Sequence, residues 1–169
     1  MTAVKKIEKV KSFEKRIELL EAMSEGMEPE IANACVALVA EKAKYGQHFA
    51  ELVSAAGVLD FEGKEQKLLD FALRANEHPT QAGTSAWVLS KLGLADAARK
   101  VMENLLESTK AGHPNLYAQA LGFGLLIPGM EDEVASAIDS VKAEHPDVPE
   151  RLYGKPDVSR FTYLQKWVG

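Results

Sequence analysis

The chain contains a single cysteine, Cys35, in 169 residues. One thiol cannot staple a fold. Its neighbours Ala34, Val36, Ala37 and Leu38 place it on a buried helix face, with no adjoining Lys or Arg to activate it. Long apolar runs are also missing. The stretch from Leu121 to Pro128 falls far short of the roughly 20 residues a bilayer crossing needs. No apolar block follows the charges that begin at Lys5, so no secretory leader is expected. Period-two alternation bounded by hairpin turns is nearly absent, which argues against a β-fold. No Ser/His/Asp or Cys/His grouping has supporting local sequence. Gly122-Phe123-Gly124 lacks the following Lys or Ser of a phosphate loop and lies inside a helical pattern. These absences lead us to expect a soluble, cytoplasmic protein without metal or cofactor.

What is present is enough to fold. Hydrophobic residues make up 46% of the chain, and a globular chain of this size buries about two thirds of its unfolded surface. A single all-helical domain over 1–169 is expected. The net charge of -5 is unevenly spread. Residues 1–16 carry six Lys/Arg against two Glu, whereas 26–146 carry ten against seventeen acids. An acidic body repels phosphate backbones, which argues against a large nucleic-acid footprint. Lys5, Lys6, Lys9 and Lys11 leave one short basic end.

Apolar spacing predicts helices throughout. Ile7, Val10, Phe13, Ile17 and Leu20 form one stripe, which predicts an amphipathic helix over Lys5–Met23 within an N-terminal segment 1–25. Further helices are predicted over Glu30–Lys44, with Ile31, Cys35, Leu38 and Val39 inward, and over Gln47–Ala56, closed by Gly57. The next are expected over Lys64–Asn76, Thr80–Leu92 and Ala95–Lys110. The last two run from Asn115 to Leu126 and from Glu131 to Ala143.

Three His-Pro pairs punctuate this pattern. Pro79, Pro114 and Pro146 follow one another at intervals of 35 and 32 residues. That period fits one helix-turn-helix unit of a stacked array. From Asn115 onward, Leu121, Gly122, Leu125, Gly129, Val134, Ile138 and Pro146 fall at the spacings of a tetratricopeptide repeat, which this segment resembles. Ala118 stands where that family commonly has tryptophan, and Val134 where it has alanine. The resemblance implies a short α-solenoid of antiparallel helix pairs over 47–148, and an adaptor, co-chaperone or assembly role. The residues elsewhere fit less well, with an extra helical turn around Glu107–Gly112. They leave open another α-solenoid or a closed helical bundle. Gly122 is expected to let the two helices of its unit approach closely.

All four histidines, His48, His78, His113 and His145, lie at unit boundaries. Equivalent positions on stacked layers are too far apart to share an ion, so they are expected to cap helix C-termini. Glu131-Asp132-Glu133 reads as first-turn charge that complements a helix dipole.

The end of the chain, 149–169, is rich in aromatics. Tyr153, Phe161, Tyr163 and Trp167 are four of twelve. This tail either caps the array or docks a partner through Phe161 and Trp167. The N-terminal stripe likewise either caps the other end or makes a homo-oligomer or partner helix through residues 6–23. The leading functional expectation is a non-enzymatic module that holds a partner peptide or helix in a groove. Ser85, Lys91, Asn115, Gln119 and Phe123 are its candidate lining, and basic segments are favoured by the acidic body. The alternatives are a small helical enzyme or ligand-binding protein, with a pocket lined by Trp87, Tyr117 and Phe123, and an accessory subunit of a nucleoprotein complex.

Overall fold

The computed structural model describes residues 1–169, and every regular element in it is helical. The α-helices are α1 (Ala3–Lys9), α2 (Phe13–Ala22), α3 (Pro29–Ala40), α4 (Gly46–Gly57), α5 (Lys64–Arg74), α6 (Pro79–Lys91), α7 (Ala95–Lys110), α8 (Pro114–Gly124) and α9 (Glu131–Glu144). Beyond α9 only short 3-10 turns remain, at Glu150–Tyr153, Val158–Arg160 and Thr162–Trp167.

Proline opens α3, α6 and α8 at the first turn, where its missing N–H costs nothing. Gly93 (φ +78) and Gly129 (φ +89) turn the chain between α6 and α7 and between α8 and α9. With 16 residues, α7 is longer than α5 or α9, which accounts for the extra turn read near Glu107.

The first predicted helix is broken in two. Val10 and Ser12 are extended, and the Ser12 hydroxyl accepts the Lys15 N–H at 3.2 Å to start α2. Arg16 sits buried at the break. Its guanidinium donates to the carbonyls of Val10 (2.8 Å), Leu38 (2.6 Å) and Glu8 (3.4 Å). It thereby satisfies carbonyls at the ends of α1 and α3 that no helix bond reaches. The apolar stripe is used inside the chain. Ile7, Phe13, Ile17 and Leu20 are all buried, with α1 and α2 against α3 and α2 also against α4. The stripe over 6–23 is therefore not a free face for a second copy.

The next helix also differs from expectation. It stops at Ala40, short of Lys44, and turns Ile31 outward at 41% exposure. Cys35 and Val39 face inward as expected, joined by Ala32 and Val36. Burial of Cys35 raises its thiol pKa, which keeps it protonated and unreactive.

From α4 onward two rows form. Helices α4, α6 and α8 touch in succession, α5 lies against α7, and α9 packs on α8. One continuous apolar core of 39 buried residues runs from Ile7 to Leu164. The seam between α6 and α8 is close. A Cβ on Gly83 would overlap the Phe123 ring. Gly124 does the same for α9, where Val134 Cγ2 would lie 2.8 Å away.

Two of the four histidines work at the opposite helix end from the one expected. His78 and His113 are N-caps, whose Nδ1 atoms accept the N–H groups of Thr80 (3.2 Å) and Asn115 (3.1 Å). Helix α8 thus begins at Pro114, one residue before the expected start at Asn115, with His113 as its cap. A proline at the next position fixes the helical entry, which leaves the imidazole beside the free donors. Only His145 ends a helix, α9. His48 lies within α4, stacked on Phe13 with centroids 4.1 Å apart.

Candidate functional site

The row of α4, α6 and α8 presents a face made of small residues: Ser54 and Gly57 on α4, Thr84 on α6, Gly122 on α8. A helix face without bulky side chains leaves room for another backbone. Residues 149–169 fill that room. The tail does not simply cover the open end beyond α9; it returns across α8 and α6 to α4. The Glu150–Tyr153 turn packs on α8 and the Thr162–Trp167 turn on α4.

Close approaches mark the path. A Cβ on Gly122 would stand 2.7 Å from the carbonyl oxygen of Gly154 and 3.0 Å from that of Leu152. A Cβ on Gly57 would meet the Trp167 ring at 2.9 Å. Gly122 therefore admits the tail, not the neighbouring helix; Gly124 serves the helix contact.

Hydrogen bonds fix the far end. The Ser54 hydroxyl donates to the Tyr163 carbonyl and accepts from Trp167 Nε1 at 3.0 Å. The Tyr163 hydroxyl pairs with Thr84 Oγ1 at 3.0 Å. Burial raises the pKa of the Tyr163 hydroxyl, an effect the Thr84 bond partly offsets. Lys166 reaches Glu21 of α2 at 3.4 Å. Leu164 and Tyr153 are buried, whereas Phe161, Tyr163 and Trp167 are half-buried.

Two depressions flank the tail. One, of about 370 Å³, lies where Thr80, Gln119 and Phe123 meet Arg151, Lys155 and Asp157 of the tail. The other, of about 530 Å³, has a wall of Glu14, Glu18, Glu21 and Glu51 facing Arg160, Phe161 and Tyr163.

Gln119 and Phe123 are thus brought together with the tail, and Phe161 and Trp167 are part of it. The other three lining candidates lie elsewhere. Ser85 is buried and donates to the Gln81 carbonyl at 2.8 Å, since the helix turns it one position past the face that holds Thr84. Lys91 is exposed at the end of α6, with its ammonium 5.3 Å over the Trp87 ring. Asn115 sits in the first turn of α8, where its N–H bonds His113.

Trp87, Tyr117 and Phe123 do not share a pocket. Trp87 is buried in the core, Tyr117 borders a depression with Glu144 and His145, and Phe123 faces the tail. Nowhere do three His, Cys, Asp or Glu side chains converge as metal ligands. No helix is long and apolar enough to cross a membrane. Ser54, Thr84, Gly57 and Gly122 were not singled out as lining residues. Their shared signal is small size on helix faces that are otherwise apolar. No family model, no curated protein and no solved structure matches this chain.

Proposed function

We propose that this protein is a non-enzymatic protein-interaction module, an adaptor, chaperone or assembly scaffold that holds an extended partner segment on the face of α4, α6 and α8. In this reading, α4 to α9 are three antiparallel pairs of a short solenoid of tetratricopeptide-like type. Helices α1 to α3 cover one end. The inner row supplies the binding face and the outer row, α5, α7 and α9, supports it.

The observation that carries the proposal is the tail itself. A face that seats a stretch of non-α chain, through glycine clefts and side-chain hydrogen bonds, has the shape and chemistry to bind a peptide. Side-chain pockets with few polar anchors are the usual form of such recognition.

Affinity capture with the full-length chain, followed by isothermal titration of each purified protein, tests this. A stoichiometric protein partner is expected. If no protein co-purifies and the chain binds only a metabolite, the reading fails.

A further inference from the structure

We infer that the tail is a displaceable occupant of the α4–α6–α8 face, and that this face accepts from another protein an extended, basic segment with Tyr and Trp four positions apart. The inference rests on the interaction-module reading and names its ligand chemistry.

The tail is seated by side chains and not by a backbone ladder. No backbone–backbone hydrogen bond joins residues 150–169 to any α-helix. The only body hydrogen bond to tail backbone is that from Ser54 to the Tyr163 carbonyl. Such seating can be vacated without unravelling a helix or sheet. The anchors are specific, however. Ser54 reads the Trp167 indole N–H, Gly57 admits its ring, and Thr84 reads the Tyr163 hydroxyl.

The charge beside these anchors is only partly met. Of the four carboxylates in the wall, Glu21 pairs with Lys166 of the tail, and Glu14 lies 3.3 Å from Nε2 of His48 of the body. Glu18 and Glu51 have no ion-pair partner, and the Arg160 guanidinium lies over the Phe161 ring at 4.9 Å. A ligand with the same aromatic anchors and more cations than the tail fits the wall better than the tail does. This complementarity selects a basic segment of a different protein over a second copy of this chain.

The test is a fluorescence-anisotropy titration of a labelled synthetic peptide of residues 157–169. It is run against full-length wild type and the full-length Trp167→Ala and Lys166→Glu variants. In wild type the tethered tail competes at an effective concentration on the order of millimolar. Weakening it raises the open fraction, so both variants should bind the peptide at least roughly tenfold more tightly. Adding Ser54→Ala should remove that gain, as should a Trp→Ala change in the peptide.

Equal affinity for wild type and variants overturns the inference, as does binding insensitive to Ser54→Ala. So does absence of binding to variants that circular dichroism shows to be folded. Lys166 is exposed, so Lys166→Glu carries the test should Trp167→Ala not fold. Concentration-dependent dimerisation of wild type that the peptide dissolves would assign the face to a second copy and overturn the partner assignment. A captured protein that binds wild type and both variants equally would overturn the inference and leave the interaction-module reading standing. Absence of both partner and peptide binding would overturn both.

Discussion

Gly122→Ala separates the tail from the body by a single methyl group. In α8 the change favours the helix by about 1 kcal/mol, since glycine is the poorer helix former. On the tail side, the new Cβ would lie 2.7 Å from one backbone carbonyl and 3.0 Å from another. Ordinary carbon–oxygen contacts are about 3.3 Å or longer, so something must move by roughly half an ångström. Helix α8 is wedged between α6, α7 and α9; the tail is held by a few side chains. The tail therefore gives way, at an overpacking cost of about 1–3 kcal/mol. Hydrogen exchange and limited trypsin cleavage at Arg151, Arg160 and Lys166 should accelerate by about 5- to 150-fold. Protection of α4 to α8 should be unchanged. Gly124→Ala is the matched control: its Cβ meets Val134 and should loosen α9 instead. If Gly122→Ala leaves the tail protected and loosens α9, the path assigned to the tail is wrong.

Three further outcomes follow from the same contacts. Arg16→Met keeps the bulk but strands the Val10, Leu38 and Glu8 carbonyls, so it should cost about 3 kcal/mol. That would show as a lowered urea midpoint at constant slope, and an unchanged midpoint would refute the role of the break. His113→Ala should cost about 1 kcal/mol in thermal unfolding and His113→Asn should recover most of it; equal losses would refute the N-cap. Tyr163 is docked as the neutral phenol, with its native pKa raised by burial. Tail docking should therefore be undiminished below about pH 10 and fall as pH rises from there through the raised native value. Trp167 fluorescence against pH measures this, and an unchanged alkaline transition in Tyr163→Phe would refute it.

Much of the helix pattern was legible because apolar spacing and proline position are local signals. Pro79 and Pro114 marked helix starts, and Ala95–Lys110 was predicted to its end residues. The break at Val10 was not legible. It depends on Arg16 reaching Leu38, 22 residues away, and no local rule foresees that bond. His78 and His113 cap the following helix and not the preceding one, because position at a boundary does not say which helix is capped. The aromatic tail is legible as a unit, and its docking reading turns on Phe161 and Trp167. Where it would lie was hidden. The clefts that receive it are glycines and small polar residues, Ser54, Gly57, Thr84 and Gly122, which look unremarkable one at a time. Ser85 is the expected lining residue where Thr84 is the one that meets the tail, an error of one position that moves a side chain by about 100° around the axis.

The most direct measurement is the set of nuclear Overhauser contacts between the Trp167 indole ring and Gly57, recorded before and after titration with the 157–169 peptide. The contacts should be present in the free protein and fade for the protein's own tryptophan as unlabelled peptide takes its place. Their absence from the free protein would show that the tail does not lie on α4, and the account of the groove would fall with it.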